Sequence, residues 1–313
     1  MSVAVQCAPP AEVLVVIVVW NGLEDTLECL ESLQRCEFPH KRILVVDNAS
    51  SDGSSETIAR IYPEIQIIRS ERNLGFTGGN NLGLEEAIRQ RVRYAFLLNN
   101  DTTLAPDALD RLVQRADASP RAGLLAPVIH YYDQPDEIWF AGARVTLSRG
   151  EAMHDPVGGL SQQAAPFETD WISGCAMLVR VSAVLSVGVF DPRFYLTWED
   201  VDWCLRMRSA GYRVLVVPAS RILHKGGRSG RRLTGIYFYY AVRNSLLVAR
   251  KHGGSRYWFA LWCVILRYGR SALGQRTLQK ARALRSVFAG LWHHVAGKYG
   301  PAPRSLAGGG RDA

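Results

Sequence analysis

Two hydrophobic periods alternate through the first third of the chain. Val13–Trp20 is an unbroken apolar run and reads as a strand buried on both faces. Leu23, Leu27, Leu30 and Leu33 then recur at helical spacing. Arg42–Asp47 predicts a second strand, Ser54–Tyr62 a second helix and Ile65–Arg69 a third strand. A Gly- and Asn-containing loop leads to a helix from Asn80 to Arg91, then a strand over Tyr94–Asn99 and a helix over Pro106–Ala118. This alternation predicts an α/β fold with a mostly parallel central sheet, right-handed crossovers and helices on both faces.

The middle of the chain changes character. Gly123–Val128, Glu137–Arg149 and Ile172–Arg180 read as strands between polar, Gly- and Pro-containing loops. Glu151 to Pro166 has no clear period, which suggests a mobile flap. A helix is expected from about Thr197 and a last strand over Arg213–Val217. Beyond Gly230 the pattern is helical, aromatic and basic to about Val295, and Pro301–Ala313 is Gly/Pro-rich and expected to be disordered. The resulting division is a tail over 1–12, a catalytic domain over 13–230 with halves 13–118 and 119–230, a helical extension over 231–298, and a tail over 299–313.

Composition adds a charge asymmetry. The net charge is +8, and no acidic residue occurs between Asp202 and Asp312 while Arg and Lys recur. Such a one-sign segment points to an anionic partner. Aromatic and aliphatic residues interleaved with the charges favour an anionic membrane surface over nucleic acid, for which no recognised module is present. Tyr257–Leu266 is too short to span a bilayer, so an in-plane anchor is expected, the alternative being a helical subdomain packed on the core. The six cysteines lack metal-ligand or disulfide-framework spacing. Val13–Trp20 has no basic region before it, so it does not read as a signal sequence. A cytoplasmic protein, peripheral on the cytosolic face of the inner membrane, is the expectation, and the sequons at Asn48 and Asn100 carry no weight there.

Candidate chemistry gathers where strands end. Asn99-Asn100-Asp101 closes the Tyr94–Leu98 run, at the sheet edge where open α/β folds bind ligands, and offers oxygen donors to a hard cation. Asp47, followed by Asn48, ends the second strand and can accept hydrogen bonds from a nucleobase or ribose; an Asx-turn is the alternative, and the favoured reading for Asp52. Arg72-Asn73-Leu74-Gly75-Phe76-Thr77-Gly78-Gly79-Asn80 reads as a Gly-rich loop whose backbone N–H groups, with Arg72, face a pyrophosphate. Glu199, Asp200 and Asp202 crowd a helix start, between Trp198 and Trp203. They read either as a favourable helix-start charge pattern or as a partly desolvated general base beside aromatic faces suited to sugar rings. His224, on a polar loop, is a solvated histidine or a metal ligand complementing Asp101.

Together these stretches resemble the family 2 inverting glycosyltransferases of GT-A fold, in the bacterial rhamnosyltransferase-like branch. The resemblance runs from Val13 to Gly230. It rests on Val16-Ile17-Val18-Val19-Trp20-Asn21-Gly22, Val46-Asp47-Asn48-Ala49-Ser50, Arg72-Asn73-Leu74-Gly75-Phe76, Leu98-Asn99-Asn100-Asp101, Gly188-Val189-Phe190-Asp191, Glu199-Asp200-Val201-Asp202 and His224.

The resemblance implies a Rossmann-like domain in which Asp47 and Arg72 bind the nucleoside. Asp101, aided by His224, would coordinate Mg²⁺ or Mn²⁺ against the donor diphosphate, and Asp200 would be the catalytic base. Two positions depart from the family pattern: Asn99 stands where the first acid of its DxD signature falls, and Val189 replaces a glycine. Trp171, Ser173, Gly174, Trp198 and Glu199 are acceptor-side candidates, with core packing the alternative for Trp171. The implied reaction moves a sugar, L-rhamnose from dTDP-L-rhamnose or else a hexose from a UDP-sugar, onto a glycan or polyprenyl-diphosphate-linked acceptor. A silent sugar-nucleotide-binding scaffold is the rival from another class. A nucleotidyltransferase is disfavoured, because Trp20-Asn21-Gly22-Leu23 is not a phosphate-binding loop.

Overall fold

A computed structural model describes residues 12–155, 165–226 and 234–306. The first half contains β1 (Val13–Val19), α1 (Leu23–Gln34), β2 (Lys41–Asp47), α2 (Ser54–Ile61), β3 (Gln66–Arg69), α3 (Gly75–Arg89), β4 (Tyr94–Asn99), β5 (Thr102–Leu104) and α4 (Ala108–Asp117). Next come β6 (Ala122–Tyr131), β7 (Ile138–Phe140), β8 (Ala143–Thr146), β9 (Glu151–His154), β10 (Phe167–Glu168), β11 (Ala176–Arg180), α5 (Val181–Val187), α6 (Glu199–Ser209) and β12 (Arg213–His224). Three helices follow: α7 (Thr234–His252), α8 (Tyr257–Leu273) and α9 (Thr277–Val295).

The main sheet runs β10-β12-β6-β11-β4-β1-β2-β3, with β5 added to β12 and β7 to β6. Helices cover both faces. From β3 to β4 every pairing is parallel, and β11 then enters antiparallel between β4 and β6. The strand order reverses around β1, which has β2 on one side and β4 on the other. Val19 lies opposite Asp47 and Val18 opposite Asn99, so the polar strand ends meet at one edge. Such a switch point leaves a crevice between diverging crossovers.

β1 forms because its β-branched apolar residues suit a pleat covered on both faces; all but Val18 are buried. α3 covers it at unusually short range. A Cβ on Gly83 would lie 2.1 Å from Val16 Cγ1, and one on Gly79 2.6 Å from Val18 Cγ1. These glycines are helix positions that permit close packing, which is why the helix expected from Asn80 begins at Gly75.

Several other expectations change. The strand read over Glu137–Arg149 is broken by Gly142, whose φ of +100° turns the chain. It becomes β7, β8 and one turn of 3₁₀ helix at Leu147–Arg149. Ile172–Cys175 precedes β11 and is not part of it. β12 continues past Pro218 to His224 because residues 218–220 bulge out of the β6 pairing, where Ser220 Oγ donates to Ala108 O at 2.8 Å. Of the expected flap, Glu151–His154 is a regular strand paired with β8, and residues 156–164 lie outside the described residues.

The C-terminal helices form their own small core from Phe238, Val242, Leu246, Val264, Ala272, Ala283 and Val287. Leu247 and Val248 of α7 join the main core. The packing alternative therefore holds for α7. α8 is tied to the hairpin by Arg267, which donates to Gly150 O at 3.0 Å and pairs with Glu151. Of the tail expected to be disordered, Gly300 and Ala302 bond to α7, while residues 307–313, like 1–11, lie outside the described residues.

Candidate active site

Two cavities open at the polar strand edge. One, of about 330 Å³, is lined by Trp20, Asn48, Asn73, Gly75, Asn80 and Asn99–Asp101. The other, of about 500 Å³, is lined by Trp139, His154, Trp171, Ser173, Gly174 and Trp198–Asp200, with Tyr237 and Tyr268 from α7 and α8. Phe76, Asn99, Leu196 and His224 border both.

Asp101 and His224 meet because β5 and β12 pair antiparallel, with Thr102 opposite His224. His224 is the buried last residue of β12, and not part of a polar loop. Its Nε2 lies 3.2 Å from Asp101 Oδ1, and its Nδ1 is buried without a partner. Burial alone would lower the imidazole pKa; Cys175 and the Asp101 carboxylate reverse this and push it up to about 10. The next residue, Lys225, holds the strand end by pairing with Asp25 and Glu28 of α1, each at 2.6 Å.

Among the described residues no three His, Cys, Asp or Glu side chains converge as a self-sufficient metal cage. One carboxylate, one imidazole with a spare buried nitrogen, and neighbouring amides fit a cation that arrives with phosphate oxygens, the usual habit of Mg²⁺. Asn100 Nδ2 donates to Thr26 Oγ1 at 3.0 Å, which fixes the orientation of its amide at the cleft.

The nucleotide-side candidates divide. Asp47 is buried and does not border the cavity; its carboxylate accepts from Ser50 N at 2.8 Å and from the Ser55 hydroxyl. Asp52 forms the Asx-turn expected of it, accepting from Ser54 N at 3.1 Å. Asn48 borders the cavity and ties β2 to the start of α3, donating to Gly75 O at 3.0 Å and accepting from Leu74 N at 2.8 Å. Asn73 Oδ1 accepts from Gly75 N at 2.8 Å, and Thr77 N donates to Tyr195 O at 3.4 Å.

Those N–H groups are taken, so the Gly-rich stretch is not the open phosphate cradle its composition suggested. Gly75 has φ +71°, and a Cβ there would lie 2.3 Å from Tyr195 O. Gly78 packs on Leu74, Asn80 Nδ2 donates to Phe76 O at 2.9 Å, and Arg72 is exposed away from both cavities.

Three carboxylates on the first turn of α6 occupy three environments. Asp202 is fully buried, neutralised by Arg206 at 2.9 Å and Lys251 at 2.6 Å, and lies 2.8 Å from His252 Nε2, so it fastens α7 to α6. Lys251 also reaches Asp191 at 2.6 Å, which gives the Gly188–Asp191 element a structural task. Asp200 borders the larger cavity and, among the described residues, accepts only backbone hydrogen bonds, from Gly174 N at 3.1 Å and Val201 N at 2.8 Å. Burial raises its pKa to about 6 against the lowering effect of those N–H groups. Glu199 is buried with Oε2 unpartnered; burial and the Asp200 charge push its carboxyl well up. Cationic partners remove Asp202 from acid–base work, and their absence suits Asp200 to it.

Trp171 both packs on Phe140, with ring centroids 5.3 Å apart, and faces the cavity. Trp139, whose ring lies 4.7 Å from that of His224, and His154 on the hairpin complete an aromatic wall that the sequence did not reveal. Each is isolated in sequence, and only the β6–β9 turns gather them.

With a donor-sized cleft and a carboxylate-floored cavity side by side, comparison with known proteins becomes decisive. Residues 14–184 match the family model for glycosyl transferase family 2, which is more than half of the chain. The chain belongs to glycosyl transferase family 2. This transferase is 29% identical over 268 residues to the N-acetylglucosaminyl-diphospho-decaprenol L-rhamnosyltransferase of Mycobacterium tuberculosis, covering 78% of this chain and 81% of that protein. It is 22% identical over 250 residues to the dTDP-rhamnosyl transferase RfbF of Shigella flexneri, covering 77% and 81% respectively. The mannosyltransferase PcManGT of Pyrobaculum calidifontis, solved with GDP-Man and Mn²⁺, superposes with a TM-score of 0.59 at 15% identity, over 94% of this chain and 90% of that one. That likeness shows the GT-A fold. Asp200 and His224 lie beyond the residues matched by the family model.

Proposed function

We propose that this family 2 transferase moves L-rhamnose from dTDP-L-rhamnose to a polyprenyl-diphosphate-linked or growing cell-surface glycan, with inversion. The observation that carries it is Asp200: a half-buried carboxylate with no cationic partner among the described residues, with a pKa of about 6, bordering the larger cavity. The names of the relatives favour rhamnose and a lipid-linked acceptor.

In this mechanism the donor occupies the smaller cleft, with Asn48, Asn73 and Asn80 as its polar lining. Asp101 and His224 would hold Mg²⁺ or Mn²⁺, which when bound neutralises charge on the departing diphosphate. The acceptor sugar lies against Trp139, Trp171 and Trp198 in the larger cavity. Asp200 takes the proton from the attacking hydroxyl. Attack from this side, opposite the leaving group, inverts the anomeric carbon, so a single carboxylate suffices where a glycosidase uses a pair. The asparagine at position 99 leaves one acid fewer beside the cation, consistent with metal binding that depends on the donor.

The acceptor's lipid gives the C-terminal helices a role. No described helix is long and apolar enough to cross a membrane. α8 nevertheless exposes Trp258 (73%), Phe259, Trp262, Ile265 and Leu266, and α9 exposes Phe288 (70%), Trp292 and Val295. Arg256, Arg270, Arg276, Arg282 and Arg285 are exposed on the same helical region, without one acidic residue in it. Aromatic residues with surrounding arginines match an anionic bilayer surface, and we assign the enzyme to the cytosolic face of the inner membrane.

Calorimetric titration with sugar nucleotides tests the donor. Mn²⁺-dependent binding of dTDP-L-rhamnose in preference to UDP-sugars is expected. Preference for a UDP-hexose would replace the donor and keep the mechanism, and no binding of any donor would favour a silent scaffold.

A further inference from the structure

Thr197 and Trp198, immediately before the Glu199–Asp200 pair, have φ of +64° and +71°. Consecutive non-glycine residues in the left-handed region are strained and persist only where the surroundings enforce them. α7 supplies that enforcement. Asn244 is fully buried, and its side-chain Nδ2 donates to Leu196 O and to Thr197 O, each at 2.9 Å. Both amide hydrogens are thus committed to the strained turn.

The amide's other end is fixed as well. Asn244 Oδ1 accepts from Arg243 Nε at 2.9 Å, so only one orientation of the amide satisfies all three bonds. Arg243 is itself fully buried without a carboxylate partner. It donates to Gly300 O at 2.6 Å and Tyr239 OH at 3.1 Å, and lies over the Tyr239 and Tyr240 rings at 5.1 Å each. Neither residue borders either cavity.

We infer that Asn244 is a positioning residue for transfer: it holds the left-handed Thr197–Trp198 turn from which α6 starts, and thereby aims Asp200, with Arg243 orienting its amide. This rests on Asp200 acting as the base and gives the helical extension a part in catalysis separate from membrane contact. Deleting the clamp lets the turn relax to ordinary φ values, which rotates the first turn of α6 relative to Gly174. Small misplacements of a reacting group are costly, so turnover falls by more than donor affinity, to which this segment contributes only Tyr195 and Leu196 of the cleft lining.

The test compares wild type with Asn244→Ala and with Asn244→Ala/Thr197→Gly, reading hydrogen exchange, donor affinity and turnover. Glycine adopts positive φ without strain, so it reduces the need for the clamp. Expected for Asn244→Ala are faster exchange confined to the segment around 195–202 and turnover reduced about 100-fold, well beyond any loss of donor affinity. The second substitution should restore a large part of that turnover. Exchange unchanged in this segment would overturn the inference, as would equal loss of donor affinity and turnover without rescue. Asn244→Asp, of equal size, serves if the alanine variant unfolds; exchange raised throughout the chain in both would make Asn244 a general fold element and overturn it. Exchange is read whether or not a donor has been found, so failure of the rhamnosyl reading shows separately, as a wild type inert toward every donor.

Discussion

Asp101 Oδ1 lies 3.2 Å from His224 Nε2 although the two residues are far apart in the sequence. The β5–β12 ladder makes this contact, and Lys225 locks it to α1. With the imidazole protonated, the pair is an ion pair; a divalent cation would take the place of that proton. Asp101→Asn should therefore lower the affinity gain that Mn²⁺ confers on donor binding by about 10–100-fold, measured by calorimetry with and without chelator. An undiminished Mn²⁺ effect would place the cation elsewhere.

Asp200 couples activity to pH. A base must be ionised, so kcat should fall as pH drops through about 6, the value to which burial raises its carboxyl. Asp200→Asn should reduce turnover by about 10²–10⁴-fold and leave donor affinity intact. A variant with wild-type turnover would remove Asp200 from the mechanism.

The same carboxylate costs stability. Folding raises its pKa from 3.8 to about 6, so the folded state holds the proton more tightly than the unfolded chain. That contribution to stability is full below pH 3.8 and is lost as pH rises through about 6. Asp200→Asn should accordingly be more stable than wild type at pH 7.5, by up to about 3 kcal/mol at ~1.4 kcal/mol per pKa unit, and no more stable below pH 3.8. Thermal melts at the two pH values check the sign.

How much of this was legible in sequence depends on how local each signal is. β1, β2 and β4 announce themselves because apolar runs end in or just before Asn or Asp, and those ends necessarily share an edge once the strands are parallel. The carboxylates of α6 were visible, but their different surroundings were not: Lys251 and His252, which bind Asp202, come from a helix some fifty residues on. Gly79 looked like a loop residue because its close packing on Val18 leaves no local trace. Asn244 sits between Arg243 and Ser245 in a basic, aromatic helix, with nothing local to indicate the strained turn beneath it.

The glycine reading has its own check. Gly83→Ala places a Cβ 2.1 Å from Val16 Cγ1, and α3 must shift from β1 to accommodate it. Overpacking of this kind costs about 1–3 kcal/mol, seen as a lowered denaturation midpoint. An unchanged midpoint would mean that the helix–strand contact is looser than described.

For the C-terminal helices, Trp258→Ser/Trp262→Ser/Phe288→Ser should abolish co-sedimentation with vesicles containing anionic phospholipid while leaving transfer to a water-soluble acceptor unchanged. Wild-type binding should weaken as salt is raised, since arginines on the same helices contribute. Binding that persists in the triple variant would move the membrane contact to another face.

The central claim is inverting transfer with Asp200 as base, and the anomeric configuration of the product tests it most directly. Wild-type enzyme, dTDP-L-rhamnose, Mn²⁺ and an N-acetylglucosaminyl-diphospho-polyprenol acceptor should yield a glycoside whose anomeric configuration, read by NMR, is opposite to the donor's, with product formation by Asp200→Asn slowed as stated above. A product that retains the donor's configuration would contradict single-carboxylate displacement.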